Sequence, residues 1–291
     1  MAEALWLARL APARPGERPT CLRCTTAGEV PGPDQRWRAV TDPFEAARWG
    51  APGASPWAAA LAAEPLGEPE TLVALGRELL APLAPTKIIA IGRNYAAHAA
   101  ELGNEVPSTP ISFFKPPSCL LASGQPLALP RGYERVDMEA ELVLVIGARA
   151  RSVRAEDAWA HVAGYLMGND VSCRDLQRAD KLWTRAKGFD GFGPVSAFAR
   201  LVPPGWVLPA DLEVHGFLDD ERVQAGSVAQ MIFSIPTLIE HLSACMTLEP
   251  GDMIFTGTPA GVSALEPGKV TRVALGGRED FHLAPVVTPV V

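Results

Sequence analysis

The chain has 291 residues, and its 26 basic and 33 acidic side chains give a net charge of −7 at pH 7. Hydrophobic residues make up 48% of the chain and charged residues 20%, so the composition predicts a large folded core and excludes disorder as the dominant state. The acidic balance, without any run rich in Lys and Arg, disfavours nucleic acids and anionic membranes as partners.

The distribution of apolar residues indicates two parts of the chain. Residues 1–80 are rich in Ala, Pro, Gly and Arg, and we predict a small N-terminal domain there, with one helical stretch around 69–80. Two prolines within residues 81–85 are typical of a linker. Across residues 81–291, short apolar runs are bounded by Gly, Pro and Asp, which is typical of buried strands and predicts a second, larger domain.

The clearest helical pattern begins near Pro236. Ser234 precedes it as a candidate N-cap, and Leu238, Ile239 and Leu242 fall on one face. Elsewhere, 28 prolines and 26 glycines predict many turns between short strands. We therefore predict a mainly β fold with short helices, of the α+β class.

The sequence also bears on cellular location. No apolar run reaches the ~18 residues that a membrane-spanning helix needs, and the N-terminus lacks the basic segment of a signal peptide. Five cysteines, an odd number in a chain of this length, favour reduced thiols, so we predict a cytoplasmic protein. Cys21 and Cys24 form a lone Cys-x-x-Cys pair whose role the sequence leaves open.

Two glutamates stand at the start of the most apolar strand pattern. Alternation places Glu139 and Glu141 on the same face as Val143 and Val145, while the opposite face is also apolar, so the strand is predicted to be buried. Two adjacent carboxylates in a medium of low polarity need a proton or a cation to offset their repulsion. The alternative is an exposed strand end with two solvated glutamates.

A third carboxylate, Asp170, follows another strand-like run and begins a stretch that the sequence predicts to be helical. On a helix, Asp170, Arg174 and Gln177 would share one face. Three carboxylate ligands without a nearby His or Cys favour a hard ion such as Mg²⁺ or Mn²⁺, with Arg174 and Gln177 beside it to hold an anionic ligand. Alternatively, Arg174 forms only a structural ion pair with Asp170 or Asp175.

His98 and Glu101 are spaced i, i+3 in an Ala-rich segment. On a short helix they can contact each other, so the carboxylate can fix the imidazole tautomer and raise its basicity, as in a general-base dyad. The alternative is an ordinary surface pair, which is common on helices. Gly103 and Asn104 follow, which indicates a loop that could act as a lid.

Two further residues are candidates for anion binding. Lys187 lies among aromatic residues, where it could bind a carboxylate or an enolate, although most lysines are simply solvated. Thr258 lies in a Gly-rich turn after a strand, and such a turn either holds an anion or only reverses the chain. Nucleotide-binding fingerprints and the His-Glu-x-x-His and Gly-x-Ser-x-Gly motifs are absent from the sequence.

Six segments, in order between about residues 87 and 262, together resemble the fumarylacetoacetate hydrolase family, and most of all its short acylpyruvase, oxaloacetate decarboxylase and hydroxyheptadienedioate isomerase types. The segments are IGRNYAAHAAE (91–101), EAE (139–141), NDVSCRDLQ (169–177), WTRAKGFD (183–190), FSIPTLI (233–239) and LEPGDMIFTGTP (248–259). The resemblance implies a mixed β-sandwich roll as the catalytic domain (81–291), a small N-terminal domain (1–80) and a homodimer.

The resemblance also implies a role for each candidate residue. The implied magnesium ligands are Glu139, Glu141 and Asp170, the implied catalytic residues are His98, Glu101 and Lys187, and the implied substrate-binding residues are Arg174, Gln177 and Thr258.

The chain departs from the family pattern in two places. Long members carry a further metal-binding Asp upstream of the His, and residues 92–95 contain none, which points away from fumarylacetoacetate as the substrate. Ser263 stands where a Gly is usual, and the tail from Lys269 follows the family loosely.

We therefore predict a Mg-dependent enzyme, with Mn as an alternative metal, that acts on a small 2-oxo acid or its enol. Hydrolytic cleavage of a carbon-carbon bond in an acylpyruvate-type substrate is favoured. Decarboxylation of an oxaloacetate-like acid and isomerisation of a hydroxymuconate-type diene are the alternatives, and a non-catalytic binding protein is a remote one.

Overall fold

The computed structural model describes residues 3–49 and 54–291, and strands dominate this part of the chain. The strands are β1 (Ala4–Leu10), β2 (Thr20–Thr26), β3 (Arg36–Val40), β4 (Glu70–Thr71), β5 (Leu79–Leu80), β6 (Ile88–Gly92), β7 (Ile111–Lys115), β8 (Leu120–Ala122), β9 (Val136–Met138), β10 (Ala140–Ile146), β11 (Val162–Asn169), β12 (Ser172–Cys173), β13 (Gly193–Val195), β14 (Ala199–Leu201), β15 (Glu213–Leu218), β16 (Glu221–Ser227), β17 (Met253–Phe255), β18 (Ser263–Ala264), β19 (Val270–Gly276) and β20 (Val286–Pro289).

The helices are short. They are α1 (Pro43–Trp49), α2 (Pro56–Ala62), α3 (Leu72–Leu75), α4 (Ala96–Glu101), α5 (Arg174–Asp180), α6 (Thr184–Lys187) and α7 (Ile235–Cys245), with 3₁₀ turns at Pro117–Cys119, Ala155–His161 and Val228–Gln230. Among the helices in the described ranges, none has both the length and the apolar character needed to span a membrane.

One large sheet joins the N-terminal strands to the rest of the chain. Its central order is β4-β3-β2-β1-β14-β11-β10-β17-β6-β7, and the junction is the antiparallel pairing of β1 with β14, where Leu5 faces Leu201. Backbone hydrogen bonds therefore continue across the boundary that separates 1–80 from 81–291. The division into two domains stays a prediction.

Strand β10 is buried along its whole length, as its sequence predicts. Leu142 and Leu144 face one apolar cluster, which also contains Val214 and Val273 from the four-stranded sheet β16-β15-β19-β20. Val143 and other residues of the opposite face pack into a second cluster. Two sheets thus enclose a core, and the prediction of a mainly β fold with short helices is confirmed.

The pairing of β10 with β11 brings distant polar residues together. Ala140 lies opposite Asn169 in this antiparallel pair, so the residues that flank the strand ends, Glu139 and Asp170, become neighbours. The Asp170 amide donates to the Glu139 carbonyl at 2.9 Å. Because both strands lie inside the core, this junction has little freedom to move.

The helices test two local predictions. Helix α7 begins at Ile235, and the Ser234 hydroxyl accepts a hydrogen bond from the Thr237 amide, so the predicted cap is confirmed. The helical stretch predicted around 69–80 is wrong beyond one turn, since only Leu72–Leu75 is helical and short strands flank it. In β2, Cys21 and Cys24 are buried in two different apolar clusters.

Candidate active site

Three carboxylates converge where β9, β10 and β11 end or begin. Glu139 follows β9, Glu141 is the second residue of β10, and Asp170 follows β11. One carboxylate oxygen from each residue lies within 4.8 Å of the other two, and all three side chains are buried. We call these residues the carboxylate cluster. Its oxygen-only donor set fits a hard divalent cation.

Glu141 is the member of the cluster without an ion-pair partner within the described ranges. Its Oε2 atom accepts a hydrogen bond of 2.8 Å from the Gly257 amide, but the carboxylate forms no ion pair, unlike Glu139 and Asp170. Burial, and then repulsion by Asp170 and Glu139, raise the pKa of Glu141 well above its usual value. A divalent cation would remove this repulsion, so the cluster could bind one.

Lys187 bridges the other two carboxylates of the cluster. Its Nζ atom lies 2.7 Å from Glu139 Oε2 and 2.6 Å from Asp170 Oδ2. Burial alone would lower the pKa of Lys187, but Asp170 and then Glu139 outweigh burial and raise it. The ammonium also lies 5.0 Å from the centre of the Phe113 ring. Lys187 is therefore a buried cation in contact with the cluster. The sequence predicts that it could bind a carboxylate or an enolate, but does not predict its burial.

Lys115 is a second buried cation, which the sequence analysis missed. Its Nζ atom lies 2.7 Å from Asp170 Oδ1 and donates to the carbonyls of Lys187 and Phe192 at 2.5 and 3.0 Å. Lys115 is 1% exposed. The side chain thus fixes both a carboxylate of the cluster and the backbone that carries Lys187. Lys115 ends a short strand directly after the adjacent Phe113 and Phe114, and nothing in that sequence indicates a buried cation.

Arg174 is held by acidic partners. Its Nη2 atom lies 2.8 Å from Glu139 Oε1, its Nε donates to Asp137 at 2.8 Å, and its Nη1 donates to Gln177 Oε1 at 2.8 Å. The prediction that Asp170 shares a helix face with Arg174 and Gln177 is wrong. Strand β12 intervenes and α5 begins only at Arg174, so Asp170 reaches the site from the end of β11.

The predicted dyad lies on α4. His98 Nδ1 is 3.3 Å from Glu101 Oε2, and Glu101 Oε1 accepts a hydrogen bond of 3.0 Å from the Gly261 amide. The His98 side chain is 5% exposed and that of Glu101 31%. Gly261 has φ 101°, and a Cβ there would overlap the Val223 carbonyl, so a glycine is required at this contact.

Asn94 supports the start of α4 and was not predicted. Its Nδ2 atom donates to the carbonyls of Thr256 and Phe233 at 2.8 and 3.0 Å, and its Oδ1 atom accepts from the Phe233 amide at 2.7 Å. One fully buried amide thus links three segments that meet beneath the dyad. Thr258 lies nearby, where its hydroxyl donates to the Ala140 carbonyl at 2.9 Å and accepts from Gln224.

These groups border one cavity of about 280 Å³. All of the predicted site residues except Glu101 and Asp170 line it, and those two contact residues that do. The structure therefore brings the predicted catalytic, substrate-binding and metal-binding residues to one place. The lining residues are Ile91, Gly92, Arg93, His98, Leu102, Asn104, Glu139, Glu141, Arg174, Gln177, Arg178, Trp183, Lys187 and Thr258.

Comparison with known proteins identifies the family. The model of the fumarylacetoacetate (FAA) hydrolase C-terminal domain matches residues 87–288. The chain belongs to the fumarylacetoacetate hydrolase family. The predicted resemblance is thereby confirmed, and so is the prediction that the chain is an enzyme of this family, since several of its relatives are named as enzymes.

Three relatives illustrate the range of the family. A mitochondrial oxaloacetate tautomerase of Oryza sativa subsp. japonica is 42% identical over 219 residues, which are 72% of this chain and 95% of that protein. A solved 5-carboxymethyl-2-hydroxymuconate delta-isomerase from Mycobacterium smegmatis is 33% identical, with a TM-score of 0.76, and the match covers 98% of this chain and 99% of the isomerase.

The third relative is a fumarylpyruvate hydrolase from Pseudomonas aeruginosa, whose structure is a complex with Mn²⁺ and pyruvate. It is 33% identical, with a TM-score of 0.64, and the match covers 74% of this chain and 91% of the hydrolase. The family fold therefore supports an isomerase and a hydrolase, so membership alone does not select the reaction.

Proposed function

We propose that this chain is a Mg-dependent enzyme that acts on a 2-oxo acid or its enol, with hydrolytic carbon-carbon cleavage of an acylpyruvate-type substrate as its reaction. The observation that carries the proposal is the placement of a buried carboxylate cluster and the His98–Glu101 pair on one cavity. A 2-oxo acid offers two adjacent oxygens to a metal, and its enolate needs a positive charge nearby.

Mg²⁺ is the proposed metal, with Mn²⁺ as the alternative, and Glu139, Glu141 and Asp170 are its proposed ligands. A bound divalent cation would act as a Lewis acid that stabilises negative charge on the 2-oxo group. Lys187 and Arg174 already offset two of the cluster's negative charges. The fumarylpyruvate hydrolase structure is a complex with Mn²⁺ and pyruvate, which supports a divalent metal and a 2-oxo acid as the ligand class.

His98 is the proposed general base. Oriented by Glu101, it takes a proton from a water molecule, and the resulting hydroxide attacks the distal carbonyl of the substrate. The bond between that carbonyl carbon and its neighbour breaks, which releases a carboxylic acid and leaves an enolate. Lys187 stabilises the enolate charge, and a proton returned to carbon completes the 2-oxo acid product. Arg174, Gln177 and Thr258 are the proposed substrate contacts at the cavity wall.

Isomerisation is a second candidate reaction, which whole-chain similarity favours. The M. smegmatis isomerase matches 98% of this chain, including the N-terminal strands, whereas the fumarylpyruvate hydrolase matches 74%. In this reaction the dyad would move a proton between carbon atoms of the enol and would not activate water. Decarboxylation of an oxaloacetate-like acid, which uses the same enolate, remains the third possibility from the sequence.

The remaining proposals concern the oligomeric state, the cellular location and the partners of the protein. We expect a homodimer in the cytoplasm that binds a small acid and neither nucleic acid nor membrane. Size-exclusion chromatography with light scattering would test the oligomeric state.

A substrate panel with Mg²⁺ tests the function. Purified protein is given an acylpyruvate, oxaloacetate or a hydroxymuconate-type diene, and products are followed by NMR, with EDTA as the metal-free control. We expect the acylpyruvate to give pyruvate and a carboxylic acid only when Mg²⁺ is present. Glu141→Gln serves as a matched inactive variant. Turnover that persists in EDTA, or no turnover on any of the three substrates, would contradict the proposal.

A further inference from the structure

The basic residues that line the cavity differ in how their charge is compensated. Lys187 and Arg174 each contact two carboxylates, and Arg178 lies 3.5 Å from Asp175 with 67% of its side chain exposed. Arg93 also lines the cavity, but it forms no ion pair with any residue in the described ranges. Among the described residues, Arg93 is therefore the cavity-lining cation that forms no ion pair at all.

The backbone and a neighbouring ring position Arg93. It is a non-glycine residue with φ 57°, a left-handed conformation that is uncommon for such side chains and frequent at functional sites. Its guanidinium carbon lies 5.7 Å from the centre of the Trp183 ring. That ring packs directly on Gly92, where any Cβ would overlap it, and meets Phe113 edge to face at 5.2 Å. The guanidinium is thus held beside a ring that is itself fixed.

The Arg93 side chain also has an unused donor. Its Nε atom is buried and has no hydrogen-bond partner among the described residues. A buried N–H group without a partner is unfavourable by an amount comparable to a lost hydrogen bond, and a guanidinium matches a carboxylate with two parallel N–H···O bonds. A carboxylate bound at this position would accept a hydrogen bond from Arg93 Nε and would also neutralise the guanidinium charge.

We propose that Arg93 binds the distal carboxylate of a dicarboxylic 2-oxo acid and so determines specificity for dicarboxylates over monocarboxylates of the same length. This inference rests on the proposed function, because it takes the 2-oxo end of the ligand to lie at the carboxylate cluster. A purely structural Arg93, held only by Trp183, would not distinguish the two kinds of acid.

Binding measurements with matched ligands test the role of Arg93. The probes are 2-oxoglutarate and 2-oxopentanoate, which share the 2-oxo end and the chain length and differ in the distal carboxylate. Calorimetric titration with Mg²⁺ present should show that the wild-type protein prefers 2-oxoglutarate. Arg93→Gln should weaken 2-oxoglutarate binding roughly tenfold to hundredfold, as expected for a charge-assisted bidentate contact. The affinity for 2-oxopentanoate should not change.

Two further variants complete the experiment. Arg178→Gln removes a charge from the same cavity and should leave the ratio of the two affinities unchanged. Arg93→Lys keeps the positive charge but loses the paired N–H donors of the guanidinium, so the ratio of the two affinities should be intermediate. This variant replaces Arg93→Gln in the experiment if Arg93→Gln does not fold. Equal wild-type affinities for the two acids, or an equal loss for both in the Arg93 variants, would overturn the role of Arg93.

Oxalate separates this inference from the proposed function. It presents two adjacent carboxylates to a metal and does not extend to a distal site, so Arg93→Gln should bind it as the wild type does when Mg²⁺ is present. Oxalate that binds equally well in EDTA would contradict the metal-dependent site itself. Oxalate that requires Mg²⁺, together with no discrimination between the two 2-oxo acids, would contradict only the role of Arg93.

Discussion

The two walls of the cavity are built differently. The carboxylate cluster lies at the ends of core strands, is buried, and is bridged by Lys187 at 2.6 and 2.7 Å. The dyad lies on the short helix α4, where two contacts of 3.0 and 3.3 Å hold a Glu101 side chain that is 31% exposed. A wall with many buried contacts suits the binding of a metal, and a wall with few contacts suits a group that moves protons and admits substrate.

The largest expected effect comes from the buried wall. Glu141→Gln keeps the shape of the side chain but removes a charged ligand, so Mg²⁺ affinity should fall more than about 100-fold, since even outer-shell partners of metal sites contribute 10- to 100-fold. Because the substitution also relieves repulsion with Glu139 and Asp170, the metal-free variant should melt at or above the wild-type temperature. Calorimetric titration and thermal unfolding measure the two effects. Unchanged Mg²⁺ affinity would remove Glu141 from the metal site.

Removal of the base on the other wall should affect turnover and not metal binding. His98→Ala should lower kcat by about 10²- to 10⁴-fold, the usual range for a general base, and leave Mg²⁺ affinity unchanged. Steady-state kinetics on the substrate identified in the substrate panel measures kcat, and calorimetric titration measures the Mg²⁺ affinity. Wild-type turnover in this variant would show that His98 and Glu101 form only a structural pair and that His98 is not the general base.

Lys115 tests how strongly the buried wall depends on its cations. Lys115→Met leaves Asp170 Oδ1 and two carbonyls without this donor, so stability should fall by about 3 to 5 kcal/mol, as for other broken buried ion pairs. Denaturant unfolding of the metal-free protein measures the change. Lys269→Met is the matched control, because its pair with Asp219 is exposed and should contribute little. An equally small effect at Lys115 would mean that the cluster does not rely on it.

The sequence predicted what is local along the chain. The i, i+3 spacing of His98 and Glu101 and the alternation that begins at Glu139 both follow from the geometry of a single helix or strand. The same local reasoning failed for Asp170 and Arg174, because it extended a helix through residues that form β12. Only the pairing of β10 with β11, two strands whose register the sequence does not state, places Asp170 at the cluster.

The residues that the sequence analysis missed act across long separations. Lys115 lies 72 residues from Lys187, whose carbonyl it contacts, and Asn94 lies 162 residues from Thr256. Arg93 appears in the first quoted motif, yet its importance depends on an unpaired Nε atom and a ring 90 residues away, at Trp183. No periodicity within one element contains such information, since these contacts arise only when the sheets assemble.

The smallest expected effect concerns Glu101, whose contacts hold helix α4 and the dyad in place at the cavity. Glu101→Ala removes the acceptor for the Gly261 amide and the partner of His98, each partly exposed, so turnover should fall about tenfold, as for the loss of one net hydrogen bond to a charged group. Hydrogen exchange at the Gly261 amide should become faster, and Mg²⁺ affinity should not change. Glu105→Ala, an exposed glutamate in the loop after α4, is the control and should alter neither. If Glu101→Ala left exchange at Gly261 as slow as in the wild type, other contacts would hold α4 against the 257–261 loop, and the two walls would be equally fixed.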